Sequence, residues 1–293
     1  MVLSQIDGFT HLAWTQNLPS CIESYNSLTC LIGFPFSFNP IIYWFFFAVI
    51  IFVIMPFFLY WLTKRLDIIP AYFIFTSIPL LFDKLGFYSQ FMLCFLLVFL
   101  IYAKNIWHKL IVALFFLITG FFGFILHRLQ FELILVFFGI ELFLFIENKF
   151  NWEKYFLFTF PFAIELREVG YSGLVTGSKF PLVLFYYGYH LLVRPMLFIF
   201  SIPAIIHIIV QKDWRKVCWL LVIVFGAIYL WFWESFKPLS ILRMFSVLGF
   251  VLLIPFLEWL EKQKRLVKIC FWFVGIVYFM FQFCDYFIFK VGG

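Results

Sequence analysis

The chain has 293 residues, of which 65% are hydrophobic and only 12% charged, where soluble domains carry about 25% charged residues. That balance excludes an ordinary soluble protein. A net charge of +6, distributed as short basic clusters between apolar runs, argues against nucleic-acid binding and for the cytoplasmic loops of a helical membrane protein.

Taken in order, residues 1–40 are the polar end of the chain and predict an extracytoplasmic loop with a juxtamembrane amphipathic helix. They contain Asp7-Gly8-Phe9-Thr10-His11, an amphipathic stretch over 12–18 and the run Gly33-Phe34-Pro35-Phe36-Ser37-Phe38-Asn39-Pro40. From 41 to 293 the sequence predicts one all-α membrane domain of about 9–10 transmembrane helices, each with an apolar run of roughly 20 residues. The expected spans are 41–63, 67–83, 87–103, 107–126, 131–147, 154–165, 191–210, 216–234, 240–260 and 268–288. A transmembrane barrel would instead alternate apolar and polar residues within segments of ~10 residues, which this chain does not do. The 154–165 run is too short to span comfortably, and reads as a half-helix or as part of its neighbours. No internal repeat and no separate soluble domain are visible.

Basic residues set the orientation. With the N-terminus outside, 13 of the 21 Lys and Arg residues fall on the inner side, including the clusters 212–216 and 262–268, as the positive-inside rule favours. The first 40 residues contain no Lys or Arg to oppose translocation. The expected location is therefore the plasma membrane, with membrane lipid around the helices and an extracytoplasmic N-terminus. Three outer segments are long enough to build a site: 1–40, the surroundings of 84–88, and 165–190, where glycines 170, 173 and 177 permit unusual backbone angles. Cys21 and Cys30 share the first of these and can pair if it faces an oxidising compartment. Cys94, Cys218, Cys270 and Cys284 sit singly in apolar runs and read as packed small residues.

The candidate chemistry lies among the few ionisable groups at the outer edge. Asp7 and His11 are four residues apart and share a face if 7–18 is helical. A carboxylate there can hold a divalent cation such as Mg or Mn against a phosphate, or act as general base on an acceptor hydroxyl. It can also simply cap the following helix. Asp83, beside Lys84, reads as a helix-end ion pair or as part of a site. Glu165 and Glu168 flank Arg167 at the start of the long outer loop, where a solvated mixed-charge loop is the plainer reading. Arg194 and Arg243, near outer helix ends, can bind phosphate bidentately or snorkel to the interface. Glu141, in mid-helix, is either a bundle-facing hydrogen-bonding residue or lies near the inner surface, and carries no assigned role.

The order of Asp7, His11, the amphipathic stretch 12–18, Gly33, Pro35, Asn39-Pro40 and Tyr43 resembles the first extracytoplasmic loop of the glycosyltransferase-C superfamily. Arg243, heading a helix that ends in Leu257-Glu258-Trp259-Leu260, is similar to a late helix of the same enzymes. The resemblance is to integral-membrane enzymes that take sugars from polyprenyl-phosphate carriers. It implies Asp7 as catalytic base or metal ligand, Asp83 as a further metal-binding acid, and Glu165 as catalytic or acceptor-binding. His11, Arg194 and Arg243 would bind the carrier phosphate and sugar, and the acceptor is left open. The family also carries a membrane helix ahead of the aspartate, which this sequence does not include before Asp7.

The expected function is therefore transfer of a sugar from a polyprenyl-phosphate carrier on the extracytoplasmic face, by single displacement at the anomeric carbon. A catalytically silent membrane subunit or degenerate paralogue, suggested by the missing helix, is one alternative. A transporter of lipid-linked substrates is another, opposed by the scarcity of mid-helix ionisable groups and the lack of repeat symmetry.

Overall fold

The computed structural model describes residues 12–13, 15–17, 19, 27–75, 88–124, 130–150, 195–222 and 251–284. These residues are almost entirely helical, and no strand occurs among them. The helices are α1 (Ser27–Gly33), α2 (Pro40–Thr63), α3 (Ile68–Phe75), α4 (Tyr88–Tyr102), α5 (Ile106–Phe121), α6 (Gln130–Phe150), α7 (Pro195–Val210), α8 (214–222), α9 (251–261) and α10 (Arg265–Cys284). The expected span at 154–165 and the outer loop at 165–190 lie outside the described residues.

The chain divides into two compact units, one of residues 1–131 with 263–293, the other of residues 132–262. In the first, α2 is the organising element. Asn39 caps it by accepting the Ile41 amide at 2.8 Å, and Pro40 occupies the first turn, where its missing N–H costs nothing. At the other end Lys64 adopts a left-handed backbone (φ 58°) that ends the helix, and Arg65 holds Asp67 through two hydrogen bonds of 3.0 and 2.7 Å. A turn this short returns the chain as α3, which packs against both α2 and α10. Gly275 of α10 makes the second approach possible. A Cβ there would lie 2.6 Å from Ile74 Cγ2 and 2.8 Å from Phe75 Cε1.

Mid-way along α2 the hydrogen bonding widens to a π turn over Ile50–Ile54, with the Met55 amide reaching back to Ile50 O. In that pattern the next donor would be residue 56, which is proline and has none, so Ile51 O loses its helical partner. Tyr72 of α3 replaces it, its buried hydroxyl donating to Ile51 O at 2.8 Å. Tyr72→Phe should therefore strand a buried carbonyl and destabilise the protein by about 1–3 kcal/mol. Unfolding midpoints of the two proteins in the same detergent would check this. An unchanged midpoint would mean that Ile51 O finds another donor.

The turn between α4 and α5 is equally tight. Asn105 caps α5 by accepting the Trp107 amide, and Lys109, only 2% exposed, donates Nζ to Ile101 O at 3.1 Å. A cation at the carbonyl end of α4 is the favourable sign for a helix C-terminus.

In the second unit α9 is buried on every side from Val251 to Leu257, as expected of a helix apolar all round. Phe256 meets Phe200 of α7 with ring centroids 5.4 Å apart. Lys212 (φ 54°) ends α7 in a left-handed conformation. Asp213 then caps α8, its Oδ1 accepting the Lys216 amide at 3.3 Å.

Candidate functional site

Asp7, His11, Asp83, Glu165, Arg194 and Arg243 all lie outside the described residues. The described residues do include the segment that follows His11. A helical turn joins Ala13 O to the Asn17 amide at 3.1 Å. Leu12 and Thr15, three apart on one face, are buried, whereas Ala13, Gln16 and Asn17 are exposed.

This turn is seated on the start of α2. Leu12 joins a core cluster with Tyr43, Phe47 and Ile50. Thr15 Oγ1 and the Tyr43 hydroxyl share a buried hydrogen bond of 2.9 Å, and Gln16 Nε2 donates to Ser37 O at 2.6 Å. The Phe34–Phe36 turn adds a stacked contact, Phe36 on Phe46 at 3.9 Å. Gly33 fits beneath: a Cβ there would come within 3.3 Å of the Tyr43 ring. Ser27 Oγ of α1 donates to Gly123 O beyond the end of α5. Cys30, buried in α1, is disulfide-bonded, while Cys21 lies outside the described residues. Cys218 is buried, as expected of a packed small residue, whereas Cys270 is exposed and Cys284 half-buried.

A second concentration of polar groups, in the other unit, escaped the sequence reading. Arg215 of α8 grips Glu141 of α6 with two hydrogen bonds, Nε to Oε1 at 2.7 Å and a terminal nitrogen to Oε2 at 2.9 Å. These bonds raise the guanidinium pKa further above its ordinary value, burial opposing them in part. Glu141 is therefore a helix-to-helix hydrogen-bonding residue. Close by in sequence, Lys216 Nζ lies 3.0 Å from Asp213 Oδ2 and 3.7 Å from Glu258 Oε2. His207 Nε2 lies 3.9 Å from the same Glu258 oxygen. The signal available in the sequence was the appearance of His207 within an otherwise apolar run, since ionisable groups inside membrane-length segments are rare and usually paired.

Among the described residues no three His, Cys, Asp or Glu side chains form a group able to hold a metal ion. The divalent-cation expectation rests on Asp7 and Asp83 alone, and these are not among them. No protein-family model matches the chain, and neither a curated protein nor a solved structure shows significant similarity to it.

Proposed function

We propose that the chain is a polytopic membrane glycosyltransferase of the glycosyltransferase-C type, transferring a sugar from a polyprenyl-phosphate carrier on the extracytoplasmic face of the plasma membrane. The observation that carries this reading is the anchored N-terminal segment. The chain emerging from His11 is fixed to the first long helix by Leu12 and by the buried Thr15–Tyr43 bond. Asp7 and His11 immediately precede this anchored turn in the sequence, and a carboxylate there could hold a cation against a carrier phosphate.

Membrane residence has its own support. α2 has 24 residues, about 36 Å of helix, enough to cross a bilayer core of ~30 Å. Only 33% of its most apolar window is buried, unlike the core helix of a soluble protein. α2 is the one such span among the described residues, and α5, α6 and α7 contain shorter apolar helical stretches. Large apolar side chains stay exposed along one helix after another, including Phe45 and Phe57 of α2, Phe115 of α5 and Phe273 of α10. Soluble monomers rarely expose apolar surface on this scale. Polar contacts also respect the proposed alternation. Ser27 and Gly123 are four expected spans apart, Glu141 and Arg215 two, and His207 and Glu258 two, so each pair belongs on one face. A disulfide at Cys30 favours an oxidising, extracytoplasmic side for the N-terminal segment.

In this reading Asp7 acts as base or cation ligand, with Asp83 as a second acid. Glu165 assists the acceptor, and His11, Arg194 and Arg243 hold the sugar phosphate. Two measurements test it together. Purified protein given a panel of polyprenyl-phosphate sugars should consume the lipid-linked sugar. Single cysteines at 7, 83, 165 and 243 should label from the outside, and those at 64, 215 and 264 from the inside. Labelling of positions 7 and 165 from opposite faces would sink the topology. Correct labelling without turnover of any carrier would leave a silent membrane subunit.

A further inference from the structure

In the second unit three helices meet at one carboxylate. Glu258 of α9 has Lys216 Nζ of α8 at 3.7 Å and His207 Nε2 of α7 at 3.9 Å, and both contacts are to the same oxygen, Oε2. Lys216 is in turn held by Asp213 at 3.0 Å. His207 is 6% exposed, yet its Nε2 has no hydrogen-bond partner. A buried ring nitrogen left open is costly, and this one, at 3.9 Å, lies just beyond hydrogen-bonding range of the carboxylate. The charged groups facing the imidazole are Lys262, just beyond the end of α9, Glu258 in its last turn, and Lys216 from α8, with Asp213 reached through Lys216.

We propose that His207 is a proton-operated switch that changes the partner of Glu258. With a neutral imidazole, Glu258 pairs with Lys216. When Nε2 takes a proton from the aqueous side on which the loop at 211–213 lies, it becomes a charged donor to Glu258 Oε2, and Lys216 is left to Asp213. No bond other than that to the proton is made or broken. The movement needed is about 1 Å in a glutamate side chain that is 33% exposed. Histidine suits the task because an ordinary imidazole changes its charge between about pH 5 and 8. The consequence is mechanical. Acidification at that face shifts the cross-link on α9 from α8 to α7, altering which helices move together. The switch stands independently of the proposed transferase activity.

Double-mutant cycles on the whole protein, unfolded reversibly in mixed micelles at about pH 8 and about pH 5.5, test the exchange. The His207→Gln and Glu258→Gln pair should show almost no coupling at the higher pH and roughly tenfold coupling in the folding equilibrium at the lower. The Lys216→Met and Glu258→Gln pair should show the opposite trend. Equal His207–Glu258 coupling at both values, or a larger one at the higher pH, would overturn the proposal. Should a variant fail to fold, nitrogen-15 spectra of the histidine-labelled wild-type protein decide. At about pH 5.5 the His207 Nε2 proton should be protected from exchange by a carboxylate acceptor, and lack of protection would reject the switch.

Discussion

Replacing Asp7 by asparagine is expected to reduce sugar transfer by about 10²–10⁴-fold while leaving the fold intact, because general-base loss alone typically costs that much. The change keeps side-chain volume and most hydrogen-bonding capacity, but removes the negative charge that a base or a hard-cation ligand must have. Arg243→Lys is the matching control. Lysine retains the charge and loses the bidentate fork, so the defect should fall mainly on carrier binding. The competing reading of Asp7 as a helix cap makes a different forecast, since asparagine caps helices about as well as aspartate. Turnover assays on purified protein separate the two. Wild-type turnover in Asp7→Asn would show that the chemistry lies elsewhere in the chain.

The second large effect concerns stability. Removing either member of the Glu141–Arg215 pair should destabilise the protein by about 1.5–3 kcal/mol, the range for hydrogen bonds to charged groups. Fully buried pairs lose about 3–5 kcal/mol when one partner goes. Here the Arg215 side chain is 40% exposed, although that of Glu141 is only 16% exposed, so water screens part of the loss. Arg215→Lys should fall between wild type and Arg215→Met, because one ammonium cannot reproduce both bonds to the two carboxylate oxygens. Replacing both residues together, Glu141→Leu with Arg215→Met, should recover most of the stability, since no charge is then left stranded. Unfolding measurements on the four proteins give the coupling directly. A value below about 0.5 kcal/mol would mean the pair is structurally incidental.

Local signals that act over a few residues were legible in the amino-acid sequence. The apolar run placed the start of α2 at residue 41, one residue beyond the observed Pro40, where the Asn39 cap and the proline in the first turn set the boundary. Helices occur at Pro40–Thr63, Tyr88–Tyr102 and Arg265–Cys284, where the runs 41–63, 87–103 and 268–288 were expected, and among the described residues the first is the one long and apolar enough to cross a membrane. Apolar run length fixes helix position without reference to neighbours. The apolar runs likewise settled the all-helical class, which holds throughout the described residues.

The tertiary structure decided what depends on neighbours. The run 41–63 read as one uninterrupted span, and only the arrival of Tyr72 from α3 satisfies the Ile51 carbonyl that Pro56 leaves without a helical donor. Glu141 carried two readings until Arg215, 74 residues later, met it. His207 looked like one more residue of an apolar run, because nothing within a helical turn of it in sequence is charged. Its carboxylate and ammonium neighbours come from two other helices, and separations of 9 and 51 residues lie beyond any periodic pattern. Helix existence follows from local sequence. Pairing among buried charges follows from which helices pack together, and there the cost of leaving a polar group unpartnered selects the neighbour.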